Sequence, residues 1–270
     1  MRSSLRAGIR LLLYIGVTLA LLPVQILAVR LKSPLSVGLP VFFHRLCCRI
    51  LGFTVEVAGT QSPDTPALFV SNHVSYLDIT VLGSLIRGSF IAKAEVGDWP
   101  MFGLLARLQR TVFVDRRSIR AAAQRDELAT RLEAGDSLIL FPEGTSDDGT
   151  TVLPFKSALF AVTETALAGK RLTVQPLSIA YTALDGMPLG RAFRPRYAWY
   201  GDMTLLPHLW EMLGFGTVTV SVTFHEAVDP GAFASRKTLA EYCHRVVAGG
   251  VEAAISGRKR AAPAPAFAHS

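Results

Sequence analysis

Ser71-Asn72-His73-Val74-Ser75-Tyr76-Leu77-Asp78 follows a short apolar run and places an imidazole five residues before a carboxylate. A histidine just past a strand end, with an acid on the next turn, has the makings of a general base and its orienter. Positions five apart on a regular helix lie about 140° round from each other. Asp78 therefore reaches His73 only if His73 sits on the loop before the helix proper. The plain alternative makes Asn72 a helix cap and His73 an ordinary surface residue. A second polar turn, Pro142-Glu143-Gly144-Thr145-Ser146, follows the apolar run Leu138-Ile139-Leu140-Phe141 and presents a carboxylate, a glycine and two hydroxyls. Its plain alternative is a capping turn, with Thr145 or Ser146 opening a helix. Ser75 is a candidate nucleophile, but no Gly-x-Ser-x-Gly elbow surrounds it. The six histidines are scattered without a His-x-x-x-His pair, so no metal site is expected. The three cysteines, two of them adjacent (Cys47, Cys48), suit neither a disulfide framework nor a zinc knuckle.

Seven short runs rich in Val, Ile, Thr and Phe must carry these loops: residues 54–58, 67–70, 89–92, 111–114, 137–141, 173–180 and 217–224. Helical stretches are predicted between them at 74–86, 118–134 and 156–168, with a closing helix at 236–256. In the middle one, Ser118 is a plausible N-cap, Leu128 and Leu132 sit four apart, and Gly135 stops it. Strands alternating with helices predict an α/β fold, a mostly parallel sheet flanked by helices. In open α/β sheets ligands bind at strand-end loops, where both polar segments fall.

The chain has 270 residues, half of them hydrophobic and only 18% charged, which excludes a disordered or coiled-coil chain. Residues 11–29 carry no charge, and nineteen residues of helix rise about 28 Å, close to the thickness of a hydrocarbon core. A spanning anchor, a helix lying in the interface and a cleaved signal are the competing readings. Gln25-Ile26-Leu27-Ala28 makes a poor cleavage site, and arginines on both flanks leave the topology unreadable. Pro23 predicts a kink, and the apolar patch 35–43 is too short to span. No acidic residue precedes Glu56, while seven basic ones do, within a net charge of +7. These cations bracket an apolar run and are not interleaved with aromatics, so the expected partner is an anionic membrane and not nucleic acid. The expected organisation is a helical N-terminal membrane-associated segment at 1–50, a catalytic domain at 51–257, and a disordered basic and Ala/Pro-rich tail at 258–270.

Asn72-His73-(four residues)-Asp78 followed by Phe141-Pro142-Glu143-Gly144-Thr145 resembles the glycerolipid acyltransferase family, of the lysophosphatidate acyltransferase type. Gly103 through Thr111-Val112-Phe113-Val114-Asp115-Arg116 is similar to its phosphate-reading block, and Val174-Gln175-Pro176-Leu177 to its proline block. The resemblance spans residues 54–181, with the four blocks in order. It implies that His73 takes the proton from an acceptor hydroxyl as that oxygen attacks an acyl thioester, and that Asp78 holds the imidazole. Backbone N–H groups after His73 are expected to face the oxyanion. Glu143, Gly144, Thr145, Ser146, Lys93 and Arg116 are implied in acceptor binding, and Pro176 in the acyl pocket. No cofactor is implied. The partners are an acyl carrier protein or acyl-CoA donor, a lysolipid acceptor and a membrane, expected to be the cell inner membrane with the site at its cytoplasmic face.

The family motif at the second loop is Glu-Gly-Thr-Arg, whose arginine helps bind a phosphate. Here Ser146 replaces that arginine and Asp147 and Asp148 follow, a change unfavourable to a dianion. Lys93, Arg116 and Arg117 remain nearby. The balance fits an acceptor with one carboxylate and one ammonium, such as lyso-ornithine lipid, better than a phosphate monoester. The alternative is a solvated turn at Asp147-Asp148-Gly149. The segments Lys93–Pro100 and Ala198–Met203 also resemble the lyso-ornithine lipid O-acyltransferase branch. The expected activity is O-acylation of lyso-ornithine lipid to ornithine lipid, with acylation of 1-acyl-sn-glycerol-3-phosphate to phosphatidate as the alternative. A non-catalytic membrane-anchored binding protein is the third reading.

Overall fold

The sheet lies between two helical layers, and its central strands alternate their side chains between them. The computed structural model describes residues 2–114, 121–164 and 171–257. Two helices, α1 (Ser4–Arg30) and α2 (Leu35–Leu51), precede β1 (Phe53–Ala58) and β2 (Ala67–Ser71). Then come α3 (Leu77–Leu85), β3 (Ser89–Lys93), a 3₁₀ turn (Ala94–Asp98), α4 (Phe102–Leu108), β4 (Val112–Val114), α5 (Ala121–Glu133) and β5 (Leu138–Leu140). A 3₁₀ segment (Ser157–Glu164), β6 (Thr173–Leu184), the short β7 (Met187–Pro188), α6 (Leu205–Gly214), β8 (Val218–Phe224) and α7 (Arg236–Ser256) complete the order. The strands run β1-β8-β6-β2-β5-β3-β4 across the sheet, with β7 folded back on β6. Only β6 with β8 and β6 with β7 are antiparallel, so the sheet is mostly parallel and flanked by helices, as the alternating pattern predicts.

Burial follows position. Every residue of β2, at the centre, is buried, which its unbroken apolar run Ala-Leu-Phe-Val requires. Strand β8 alternates buried Val and Phe with half-exposed Thr and Ser, because one of its faces is less covered. Phe69, Ile139 and Ile179 point to one layer with Leu77, Leu82 and Leu213, while Leu68, Val70, Leu138 and Leu140 point to the other with Phe160, Leu239 and Cys243. This two-residue alternation is what lets a helix seat on each side.

Two predicted helices and one apolar patch need adjusting. The one expected at 74–86 begins at Leu77, because the Val74 and Ser75 N–H groups bond to the Asp78 side chain. The stretch 156–168 forms a 3₁₀ segment at Ser157–Glu164, and residues 165–168, like Ser118 and the tail 258–270, lie outside the described residues. The patch at 35–43 is the first half of the longer α2, whose end is set by Gly52 at φ 75°, a left-handed conformation that suits glycine.

α1 is docked along its whole length. Near its start, Ser3 N donates to Gly214 O at 3.0 Å, and the Arg10 guanidinium donates to the carbonyls of Leu213, Phe215 and Gly216 at 3.2, 2.7 and 3.3 Å. These are the free carbonyls at the end of α6, which a cation satisfies. Near its end, Gln25 Nε2 donates to Ser36 O at 3.0 Å and Leu108 O at 2.7 Å. The opposite face exposes Leu5, Ile9, Leu12, Leu19 and Leu27. α1 is long and apolar enough to cross a membrane.

Candidate active site

Register brings the two polar loops together. Val70 of β2 pairs with Leu140 of the parallel β5, so His73 and Glu143, each three residues further on, leave the sheet side by side. The His73 N–H donates to Glu143 Oε1 at 2.6 Å, and Leu153 N–H donates to Oε2 at 2.8 Å. Phe90 of β3 pairs with Ile139, which puts Lys93 at the same edge, level with Pro142. Lys93 in turn pairs with Val114; Arg116, beyond it, lies outside the described residues, as does Arg117. Pro176 pairs with Val70 and is buried in β6, inside the sheet and below the loops.

His73 precedes α3, on the loop. Its Nδ1 lies 2.9 Å from Asp78 Oδ2. That oxygen also accepts from the N–H groups of Val74 (2.7 Å) and Ser75 (2.9 Å), and Oδ1 accepts from the Tyr181 hydroxyl at 2.9 Å. Asp78 is wholly buried, whereas the His73 side chain is 21% exposed. Its ring stacks on Phe141, with centroids 4.1 Å apart and planes 17° apart. With Nδ1–H donated to the carboxylate, Nε2 carries the lone pair, the arrangement a general base needs. The N–H groups of Val74 and Ser75, which directly follow His73, are committed to Asp78. Ser75 Oγ is buried with no hydrogen-bond partner, so no base activates it.

Asn72 is not a helix cap. Its side chain exchanges two 2.9 Å bonds with Ile179, Nδ2 donating to the carbonyl and Oδ1 accepting from the N–H. This stitches the His73 loop to β6. Sequence reasoning gave Asn72 and Phe141 no supporting contact and passed over Tyr181, yet all three hold the His73–Asp78 pair in place. The hydrophobic run after Asp78 gives no sign that a hydroxyl 103 residues later will complete its contacts.

Burial pushes the Glu143 carboxyl up to about 8, against the opposing pull of the two N–H donors. Gly144 has φ +69°, the left-handed turn that swings the loop back over His73. Asp147 N–H donates to His73 O at 3.1 Å, and the Ser146 hydroxyl donates to Trp199 O. Thr145 is exposed. Asp148 accepts from Thr150 N at 2.8 Å and Thr150 Oγ1 at 2.5 Å, closing its own turn, while Asp147 Oδ2 receives only the Thr151 hydroxyl at 3.3 Å among the described contacts. No cluster of three or more potential metal ligands occurs among the described residues.

Next to this edge lies an apolar cavity of about 210 Å³, partly open and lined by α1, α2, α3, α6 and the 92–111 segment. Tyr76, Leu77 and Phe90 line its near side. Phe90 stacks on Phe141 at 6.0 Å, so one ring separates the cavity wall from the His73 imidazole. The arrangement puts apolar space one ring away from the His73 imidazole. Pro176 is not among the lining residues.

Residues 54–180 match the acyltransferase family model. The chain is 45% identical over 249 residues to a lyso-ornithine lipid O-acyltransferase of Brucella abortus (strain 2308), covering 91% of this chain and 93% of that protein. It is 31% identical to a 1-acyl-sn-glycerol-3-phosphate acyltransferase of Neisseria gonorrhoeae, over 73% of this chain and 76% of that one. The crystal structure of a 1-acyl-sn-glycerophosphate acyltransferase from Thermotoga maritima superposes with a TM-score of 0.59 at 27% identity, covering 83% of this chain and 81% of that chain.

Proposed function

We propose a specific reaction for this chain, which belongs to the acyltransferase family: transfer of a fatty acyl group from an acyl thioester to the hydroxyl of lyso-ornithine lipid. The observation that carries it is the contact of His73 Nδ1 with Asp78 Oδ2 at 2.9 Å, with the Phe141 ring stacked between the imidazole and Phe90 of the cavity wall. His73 Nε2 takes the hydroxyl proton as the oxygen bonds to the thioester carbonyl carbon. The carbon–sulfur bond then breaks, and the proton passes from the imidazolium to the departing thiolate, leaving ester and free thiol. Asp78 holds the imidazole in the productive tautomer and offsets its transient charge. The cavity takes the fatty chain, and Lys93, Glu143, Gly144, Thr145, Ser146 and Arg116 form the acceptor side. The donor is acyl carrier protein thioester or acyl-CoA.

The choice of acceptor is supported by the names of the relatives and by charge. Ser146 stands where a phosphate-binding arginine is usual, and Asp147 sits against His73 with a lightly bonded carboxylate. A cationic headgroup gains from this arrangement, while a phosphate monoester is repelled. Residues 1–50 serve as the membrane-associated segment of a catalytic domain at 51–257, on the cytoplasmic face of the cell inner membrane. Because α1 is pinned at both ends while its other face exposes leucines, it lies along the domain and in the interface.

The test is a side-by-side assay of lyso-ornithine lipid and lysophosphatidate with the purified chain and its Ser146→Arg variant. Lyso-ornithine lipid is the preferred acceptor of the unmodified chain, and Ser146→Arg moves the ratio toward lysophosphatidate. Strong preference for lysophosphatidate by the unmodified chain contradicts the reading.

A further inference from the structure

α6 is apolar on the side that faces solvent as well as on the side that faces protein. His208 and Met212 are buried, and Leu205 and Leu209 line the cavity. Leu206 and Trp210, four residues apart and therefore on one face, point away from these and are exposed, Leu206 at 72%. Tyr200 and Met203, in the turn just before the helix, are exposed too. A helix apolar on its outer face calls for an apolar neighbour there.

Contacts fix where this face lies. The Tyr76 hydroxyl donates to His208 Nδ1 at 3.0 Å, since Nε2 of the same ring faces the Arg196 carbonyl at 3.1 Å. The Tyr76 ring packs 5.9 Å from that of Trp199, and Trp199 N donates to Val74 O at 3.0 Å. The first turns of α6 thus sit beside the His73 loop. At the other end, Glu211 meets Arg196 at 3.2 Å and Arg2 at 3.6 Å, and Ser3 N donates to Gly214 O. The start of α1 therefore adjoins α6, and there Leu5 and Ile9, four residues apart on α1, are exposed. Two guanidiniums, each about half exposed, share one carboxylate, so the rim of the patch is positive.

We propose that the outer face of α6 and the Tyr200–Met203 turn form a second membrane contact, continuous with the exposed face of α1. It seats the His73 loop against an anionic bilayer, so that the lysolipid acceptor reaches the site without leaving the lipid. Acceptor delivery rests on the acyl-transfer reading above; the membrane contact itself does not. Three observations favour a bilayer over a protein partner. The patch continues the leucine surface of α1. Its aromatic members are Tyr and Trp, whose rings suit the depth of lipid headgroups. Its rim cations suit anionic headgroups.

The first experiment is fluorescence quenching on vesicles of phosphatidylcholine and phosphatidylglycerol, with and without bromine on the phosphatidylcholine chains. The chain has three tryptophans, of which Trp210 lies on the patch. Brominated lipid should quench the unmodified protein by a larger fraction than Trp210→Phe. Equal fractional quenching in the two overturns the inference and leaves the patch to a protein partner. The second experiment is kinetic. Leu206→Asp should raise KM about tenfold for lysolipid presented in these vesicles, with kcat kept, and leave KM for a short-chain, water-soluble lysolipid unchanged. A rise for both acceptors would place the patch inside the acceptor site, and a rise for neither would deny it a role; each overturns the inference. Quenching needs neither turnover nor the Leu206 variant, so it decides the contact by itself. Absence of transfer to either acceptor by the unmodified protein would instead count against the acyl-transfer reading.

Discussion

Four donors converge on the Asp78 carboxylate, and the most distant in sequence is the Tyr181 hydroxyl. A hydrogen bond to a charged group in a buried site is worth more than one in water, so Tyr181 is a positioning residue for the His73 imidazole. Tyr181→Phe is expected to lower kcat about tenfold while leaving KM for both substrates steady, read from initial rates. A matching rise in KM would mean that the hydroxyl shapes the binding site instead. Glu143 gives a prediction in pH. Its carboxyl titrates near 8 in the fold against an ordinary 4.5, so the native state favours the neutral form. The stability it contributes is full below 4.5 and is lost as pH rises through 8. Glu143→Gln does not titrate, so its melting temperature should rise relative to the unmodified protein by several degrees between pH 5 and pH 8. A constant gap contradicts the assignment. His73, Asp78 and Glu143 were legible because each follows its strand within a few residues. Tyr181 and Ile179 were not, because only the pairing of β6 with β2 brings them near.

At the scale of elements, the two N-terminal helices belong to the domain's packing as well as to its surface. α1 caps α6 through Arg10 and joins α2 and α4 through Gln25. Its outward Leu12 and Leu19 are 71% and 63% exposed. Replacing both by Asp should reduce co-sedimentation with phospholipid vesicles by at least tenfold, since each leucine that leaves lipid forfeits about 2 kcal/mol. The melting temperature should stay within a few degrees, because neither side chain packs inside the protein. Unchanged vesicle binding would show that another surface meets the membrane. The strands were readable from β-branched runs, and α7 from length and periodicity. α2 was half-read, because His44, Arg45 and Arg49 interrupt its apolar pattern although His44 is buried. α4 and α6 escaped: α4 has only seven residues and α6 carries Pro207 near its start, so local pattern resembles loop and tertiary packing decides.

For the whole molecule, a mostly parallel sheet with a reversed pair, β1 and β8, at one side gathers the ends of β2, β5, β3 and β4 at one edge. The helical layer containing α1, α2 and α3 lines the apolar cavity and carries the exposed leucines of α1. In the proposed reaction, His73 lies between this apolar cavity and a polar edge that carries Asp147 and Lys93. The account stands most directly on the rate of acyl transfer from a radiolabelled thioester to lyso-ornithine lipid, measured for the purified protein and for His73→Ala at equal folded concentration. It predicts ready transfer by the unmodified protein and a loss of about 10²–10⁴-fold in the variant. Equal rates in the two proteins would contradict it.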